Sequence, residues 1–273
     1  MKTLYLTDLD GTLLRDNERI SPYTAAAINR FIENGGCFSY ATARSIVTAS
    51  KVTEGLNAPF PVICGNGVFI MENITNKVLY SNFFTTTEID AVTKRLKSHN
   101  LHPMVHSYIN GRERVSYIEQ YLTNAMRHFL DNRKGDTRIR IVTSDDDLYQ
   151  GDIFRFSCMD TDTALSLIKP IFESDTRLTC LYTKEVYSGE KNLEILPLNA
   201  TKANAARQLK AMLGCDKIVA FGDGLNDISL FEAADEKYAT ANAVPELKRI
   251  ATAVIGSNEE DGVAKWIEQN AII

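Results

Sequence analysis

No stretch of the sequence approaches the roughly 18 consecutive apolar residues that a membrane-crossing helix needs. The opening segment, Met1–Gly11, has one lysine and a short apolar run that meets acids at Asp8 and Asp10, the wrong pattern for a secretory leader. Basic charge is also scarce: 30 lysines and arginines face 35 acids, giving a net charge of -5, and they form no long run. Wholesale attraction to nucleic acid or to an anionic membrane is thereby excluded, and any anionic ligand must be held by a local site. Cysteine is sparse and unpaired in pattern. The five residues Cys37, Cys64, Cys158, Cys180 and Cys215 make no CxxC and read as reduced thiols of a cytoplasmic protein. The four histidines, His99, His102, His106 and His128, form no HxH or HExxH, which argues against zinc. They read as surface residues of an inserted domain, with a substrate-facing role left open for His102, His106, Arg112 and Arg114. Repeats and low-complexity segments are absent as well, and nothing demands more than a monomer or a weak homo-oligomer.

What is present is an ordinary globular composition, 44% hydrophobic and 24% charged, in 273 residues. That length exceeds one small domain and favours a large α/β core with an insertion. Residues 3–7 read as a buried strand running into Asp8, Asp10 and Gly11. Ser21 and Pro22 open a helix that Gly35-Gly36 stops, and a strand at Cys37–Ala41 follows. A helix from Ser45 to about Leu56 leads to a strand at Val62–Cys64, completing a βαβαβ pattern that implies a parallel sheet. Gly65-Asn66-Gly67 reads as a turn with positive φ at Asn66, followed by a hairpin.

From about Phe84 helices and strands cease to alternate strictly, ending in strands near Arg177–Tyr182 and Val186–Tyr187; alternation resumes with a strand at Asn192–Leu196. The expected organisation is therefore a Rossmann-like parallel-sheet core, residues 1–81 and 189–273, interrupted by an α+β domain at 82–188. The acidic run Asp145-Asp146-Asp147 reads as a solvated turn.

In open α/β sheets ligands bind beyond the carboxyl ends of the strands. Four polar groups fall there: Asp8-Leu9-Asp10-Gly11-Thr12, Thr42 with Arg44, Lys202 at a helix start, and Gly222-Asp223-Gly224-Leu225-Asn226-Asp227. Phosphate ester hydrolysis is slow without a catalyst and needs positioning and charge neutralisation around the phosphoryl group. A carboxylate attacking a phosphate needs cations nearby, and acids grouped on two loops can hold a hard divalent ion through oxygen. Glycine at position 11 lets the backbone turn sharply and approach an anion.

These stretches, in this order and each after a suitable strand, resemble the haloacid dehalogenase superfamily, and the insert is similar to the type IIB cap of its Cof-like subgroup. The resemblance implies a phosphatase of small phosphorylated metabolites, with Asp8 as nucleophile, Asp10 as acid and then base, and magnesium held by Asp8, the Asp10 carbonyl and Asp223. It further implies phosphate contacts from Thr42, Lys202, Gly11, Arg44 and Asn226, a supporting role for Asp227, and a cap that closes over the core and reads the substrate. Two residues depart from the family pattern: Ala43 and Ala203 stand where glycine is usual. A sugar phosphomutase or phosphotransferase using the same aspartate, and a non-enzymatic ligand sensor, remain as alternatives.

Overall fold

Leu4, Tyr5 and Leu6 are all buried in a strand, β1 (Thr3–Thr7), and burial on both faces marks a central strand of a parallel sheet. The structure, a computed structural model, describes residues 1–184 and 191–272. After β1 come α1 (Pro22–Glu33), β2 (Cys37–Tyr40), α2 (Ile46–Val52), β3 (Val62–Cys64), β4 (Phe69–Met71) and β5 (Val78–Ser81). A second group intervenes: α3 (Thr86–Ser98), β6 (Met104–Ile109), β7 (Arg112–Ile118), α4 (Asn124–Asp131), β8 (Ile139–Val142), α5 (Asp145–Leu148), β9 (Asp152–Asp160), α6 (Asp162–Ser166), α7 (Lys169–Glu173), β10 (Leu178–Lys184) and β11 (Lys191–Pro197). The chain finishes with α8 (Lys202–Met212), β12 (Lys217–Gly222), α9 (Ile228–Ala233), β13 (Glu236–Thr240), α10 (Pro245–Ile250), β14 (Ala253–Ile255) and α11 (Gly262–Asn270). These gather into two compact units, Met1–Ser81 with Ala200–Ile273, and Asn82–Asn199.

In the first unit five parallel strands lie in the order β14-β13-β12-β1-β2. Leu4, Leu6, Ile218 and Ala220 on one face pack against Ala205, Leu209, Phe231 and Leu247 of α8, α9 and α10. The alternate residues carry the other face: Tyr5 meets Phe31 of α1 edge-on at 5.2 Å, and Phe221 meets Trp266 of α11 at 5.2 Å. α1 starts as its sequence dictates, the Ser21 hydroxyl accepting from Thr24 N–H at 2.9 Å with Pro22 in the first turn. The expectation that Val62–Cys64 extends the parallel sheet is corrected. It touches that sheet through a single parallel bridge, Ala41 to Ile63, and pairs antiparallel with β4, which pairs with β5. The adjoining hairpin offers a short strand a local partner, which costs less loop closure than a distant one.

The second unit has six strands in the order β10-β11-β9-β6-β7-β8, antiparallel except for β7 with β8. Val92 and Leu96 of α3, with Leu165 and Phe172 of α6 and α7, cover one face over Phe156, Leu193 and Ile195. Met126 of α4 packs with Met104 and Val115 on the other. The strand at Asn192–Leu196, expected in the core sheet, lies here between β9 and β10. Its polar residues explain the correction. Asn192 accepts from the Ser157 hydroxyl at 2.8 Å and Glu194 pairs with Arg155 at 3.0 Å on one face, whereas a central parallel strand is apolar on both. The boundary expected at residue 189 and the strand expected at Val186–Tyr187 lie outside the described residues. Asp145, Asp146 and Asp147 form the first turn of α5, where a helix terminus favours acids.

His102, half-buried, stacks on Tyr121 with ring centroids 3.6 Å apart, whereas His106 departs from the surface role expected of it. His106 on β6 is only 6% exposed, and neither of its ring nitrogens has a partner among the described residues. Burial, reinforced by Arg155, Arg138 and Arg133, lowers its pKa well below 6.5. The folded state therefore keeps this ring neutral while the unfolded chain takes up a proton near pH 6.5, so its stability contribution is complete above that pH and is lost as pH falls through it. The expected loss is about 1.4 kcal/mol per pH unit below the unfolded pKa. Denaturant titration at several pH values between about 5 and 8 checks this: His106→Met should flatten the acid limb relative to wild type, and parallel limbs would refute it.

Candidate active site

β1 and β12 are neighbours in register, Thr7 opposite Phe221, so the residues after them leave the sheet at the same edge. Asp8 N–H still donates to Phe221 C=O at 3.0 Å, which fixes its position before its side chain is considered. The third participant arrives on α8. Thr201 caps that helix, its hydroxyl accepting from Asn204 N–H at 3.1 Å, and Lys202 occupies the first turn. A lysine opposes the helix dipole there, so helix stability is not what holds it. Two carboxylates are: Nζ donates to Asp8 Oδ1 at 2.5 Å and to Asp227 Oδ1 at 2.7 Å, with the lysine 1% exposed. Burial disfavours its charge, yet Asp227 and Asp8 outweigh that and raise its pKa.

Asp227 is wholly buried. Its second oxygen, Oδ2, accepts from Asp223 N–H and Gly224 N–H, both at 3.0 Å, so both oxygens are committed inside the protein. Asp223 receives the Thr12 hydroxyl at 2.8 Å, and burial beside Asp227 pushes its carboxyl up to about 6. Burial likewise raises Asp8 well above the usual carboxylate range, with Asp227 and Asp223 adding to the shift against the pull of Lys202. Three acids around one ammonium leave an excess of negative charge. Asp8, Asp223 and Asp227 each offer an oxygen within 4.8 Å of the others, all hard donors suited to a divalent cation. Because Asp227 is engaged twice over, Asp8 and Asp223 are the side chains of this cluster with oxygens to offer an ion. The Asp10 carboxylate, in contrast, is not part of the cluster.

The loop after β1 is a tight turn closed by Leu14 N–H to Leu9 C=O at 2.8 Å. Gly11 adopts φ 74°, and a Cβ there would lie 2.3 Å from Asp223 Oδ2. The glycine thus lets the backbone approach a carboxylate. Its C=O accepts from Asn242 Nδ2 at 2.7 Å. β2 lies beside β1, with Ala41 N–H donating to Thr7 C=O at 2.8 Å, so Thr42 emerges at the same sheet edge. Thr42 is buried; its N–H donates to Ile63 C=O at 2.9 Å and its Oγ1 accepts from Arg44 N–H at 3.1 Å.

Arg44, expected at the phosphate, is engaged with acids instead. Its Nε lies 2.8 Å from Asp10 Oδ2, its Nη2 2.5 Å from Asp10 Oδ1, and Nη2 also meets Glu18 at 2.8 Å. Asn226 donates to Asn66 Oδ1 at 3.4 Å, and Asn66 has the positive φ, 59°, read from its turn. Gly67 beside it is obligatory, since a Cβ there would lie 2.1 Å from Thr201 C=O, against the turn that carries Lys202. Neither Ala43 nor Ala203 has a positive φ; Ala43 is exposed and Ala203 is buried within α8, so both methyl groups fit an ordinary backbone. Sequence reasoning gave no role to Thr12, Glu18 or Asn242. Thr12 was within the motif, whereas Glu18 and Asn242 carry no local signal.

A family model described as haloacid dehalogenase-like hydrolase matches residues 5–267. The 5-amino-6-(5-phospho-D-ribitylamino)uracil phosphatase YwtE of Bacillus subtilis is 29% identical over 96% of each chain. The pyridoxal phosphate phosphatase YbhA of Escherichia coli is 24% identical over 97% of each. A solved haloacid dehalogenase-like hydrolase from B. subtilis shares the fold with a TM-score of 0.79 at 23% identity, covering 99% of this chain and 100% of that one. Another, from Bacteroides thetaiotaomicron, gives 0.77 at 21%, covering 98% and 99%. With the family model spanning nearly the whole sequence, the chain belongs to the haloacid dehalogenase-like hydrolases.

Proposed function

We propose that this hydrolase is a magnesium-dependent phosphatase of small phosphorylated metabolites, sugar phosphates or cofactor phosphates, acting through an aspartyl-phosphate on Asp8. The observation that carries the reading is the buried Asp8 carboxylate, 2.5 Å from Lys202 and grouped with Asp223. A carboxylate removed from water and held at one oxygen by a lysine, with the other left open, is a poised nucleophile. Lys202 offsets charge on Asp8 and on the incoming phosphoryl oxygens. Thr42, whose oxygen already accepts from Arg44 N–H, has its hydroxyl proton to give to a phosphoryl oxygen. Asp10 protonates the leaving alcohol and then takes a proton from the water that cleaves the intermediate.

Asp8, the Asp10 backbone carbonyl and Asp223 would hold the metal, with Asp227 positioning Lys202 and the Asp223 loop. When bound, the ion supplies the positive charge that the acid cluster lacks and that a phosphate dianion needs. We assign recognition of the leaving group to the inserted unit and place the protein in the cytoplasm, where its five free cysteines fit the reducing conditions. YwtE and YbhA, by their names, release phosphate from a ribityl phosphate and from pyridoxal phosphate, and the substrate class proposed here includes both types.

Asp8→Asn should lower phosphate release at least about 1000-fold across a panel of phosphorylated metabolites, while circular dichroism shows the variant still folded. Undiminished release would refute the nucleophile. Release should need no sugar bisphosphate, and a strict requirement for one would instead identify a phosphomutase. Chelation with EDTA should abolish turnover, magnesium restore it, and calcium, which prefers more and longer oxygen contacts, fail to do so. Full activity in EDTA would overturn the metal assignment.

A further inference from the structure

We propose that Arg44, braced by Glu18, is the positioning residue that aims the Asp10 carboxylate at the reacting phosphoryl group. The inference rests on the reading of Asp10 as acid and base. Asp10 sits on the outer side of the turn after β1, and its side chain is 47% exposed. A carboxylate so placed rotates freely in water unless something holds its plane. Arg44 holds it through two parallel contacts, Nε to Oδ2 at 2.8 Å and Nη2 to Oδ1 at 2.5 Å. Such a fork fixes the orientation of the carboxylate as well as its distance, which a lysine ammonium does not do.

The arginine is itself anchored. Its N–H donates to Thr42 Oγ1 at 3.1 Å and its C=O accepts from Gly65 N–H at 3.0 Å, so the backbone at the base of the side chain is tied at both ends. At the far end Nη2 meets Glu18 at 2.8 Å. Glu18 lies in a turn, its N–H donating to Arg15 C=O at 2.9 Å, and has φ 58°, a left-handed conformation that a non-glycine residue keeps only when its surroundings fix it. The same charges argue against Arg44 as a phosphate ligand. One guanidinium between two carboxylates has no positive charge left over for an anion.

Asp10 must serve twice from one place. In the first half-reaction its proton passes to the leaving oxygen as the ester P–O bond breaks and the bond from Asp8 oxygen to phosphorus forms. In the second, water gives a proton to Asp10 as its oxygen bonds to phosphorus and the Asp8–phosphorus bond breaks. An acid out of line harms expulsion of an alkoxide most and expulsion of a phenolate that needs no proton least.

The test compares β-glycerophosphate with p-nitrophenyl phosphate on the full-length, magnesium-loaded protein. Arg44→Ala should lower kcat on β-glycerophosphate at least about 30-fold with KM within about twofold, while single-turnover release of p-nitrophenolate stays within about threefold of wild type. Arg44→Lys should behave as Arg44→Ala does, and Glu18→Gln should show the same pattern more weakly. A rise in KM on both substrates, with p-nitrophenolate release slowed equally, would make Arg44 a phosphate ligand and overturn the proposal. Equal losses of kcat on both, accompanied by a lower Tm, would reduce it to a structural residue and overturn it as well. Asp10→Asn is the control: it should reproduce the substrate-selective loss. If it does not, the acid and base reading fails and takes this proposal with it, while the nucleophile is judged separately by Asp8→Asn.

Discussion

Everything at the sheet edge is arranged around one buried ammonium group. Lys202 cannot stay charged at 1% exposure without Asp8 and Asp227, and neither carboxylate tolerates its own burial without Lys202. The three come from the end of β1, the first turn of α8 and the loop after β12, so satisfying them fixes how those elements meet. Gly67 presses against the turn that carries the lysine, and Asp227 ties down the backbone of Asp223. Replacing such a cluster by apolar residues is often neutral or stabilising in other proteins. Its presence here fits the catalytic role proposed for it better than economy of folding. The balance of charge is also deliberately incomplete, because three acids exceed one lysine and the deficit matches what a divalent ion brings.

Much of this was legible in the sequence, for a physical reason. A central parallel strand is apolar on both faces and ends abruptly, so Thr3–Thr7 and Lys217–Gly222 announce themselves and point to the acids that follow. Lys202 is recognisable by its place in the order of motifs and not by its surroundings. Where the reading failed, the missing information was pairing. Nothing local says that Val62–Cys64 takes a hairpin partner instead of the core sheet. The alternation of Asn192 and Glu194 with Leu193 and Ile195 did hold a clue, since a polar face belongs to a one-sided antiparallel strand. That clue was outweighed by the helix and strand rhythm after it.

Side-chain partners were the other blind spot. Arg44 and Asp10 are 34 residues apart and Arg44 and Glu18 26, so no spacing rule connects them. His106 sits in a strand whose alternation gives no hint that an imidazole would be buried with neither ring nitrogen hydrogen-bonded among the described residues. Arg44, in contrast, acquires its role from distant neighbours. Ala43 and Ala203, by comparison, raised a question that backbone geometry answers simply: one methyl group points to solvent and the other is absorbed by the helix.

The partnership between Lys202 and Asp8 also spans 194 residues of chain. During synthesis Asp8 leaves the ribosome long before the lysine, and before the loop that carries Asp223 and Asp227. A half-made chain therefore holds Asp8 as an ordinary solvated acid, with neither the burial nor the counter-charges that distinguish it in the folded protein. The cluster forms only when β12 closes against β1 and α8 brings in its lysine. Its assembly thus records that two distant parts of the chain have met.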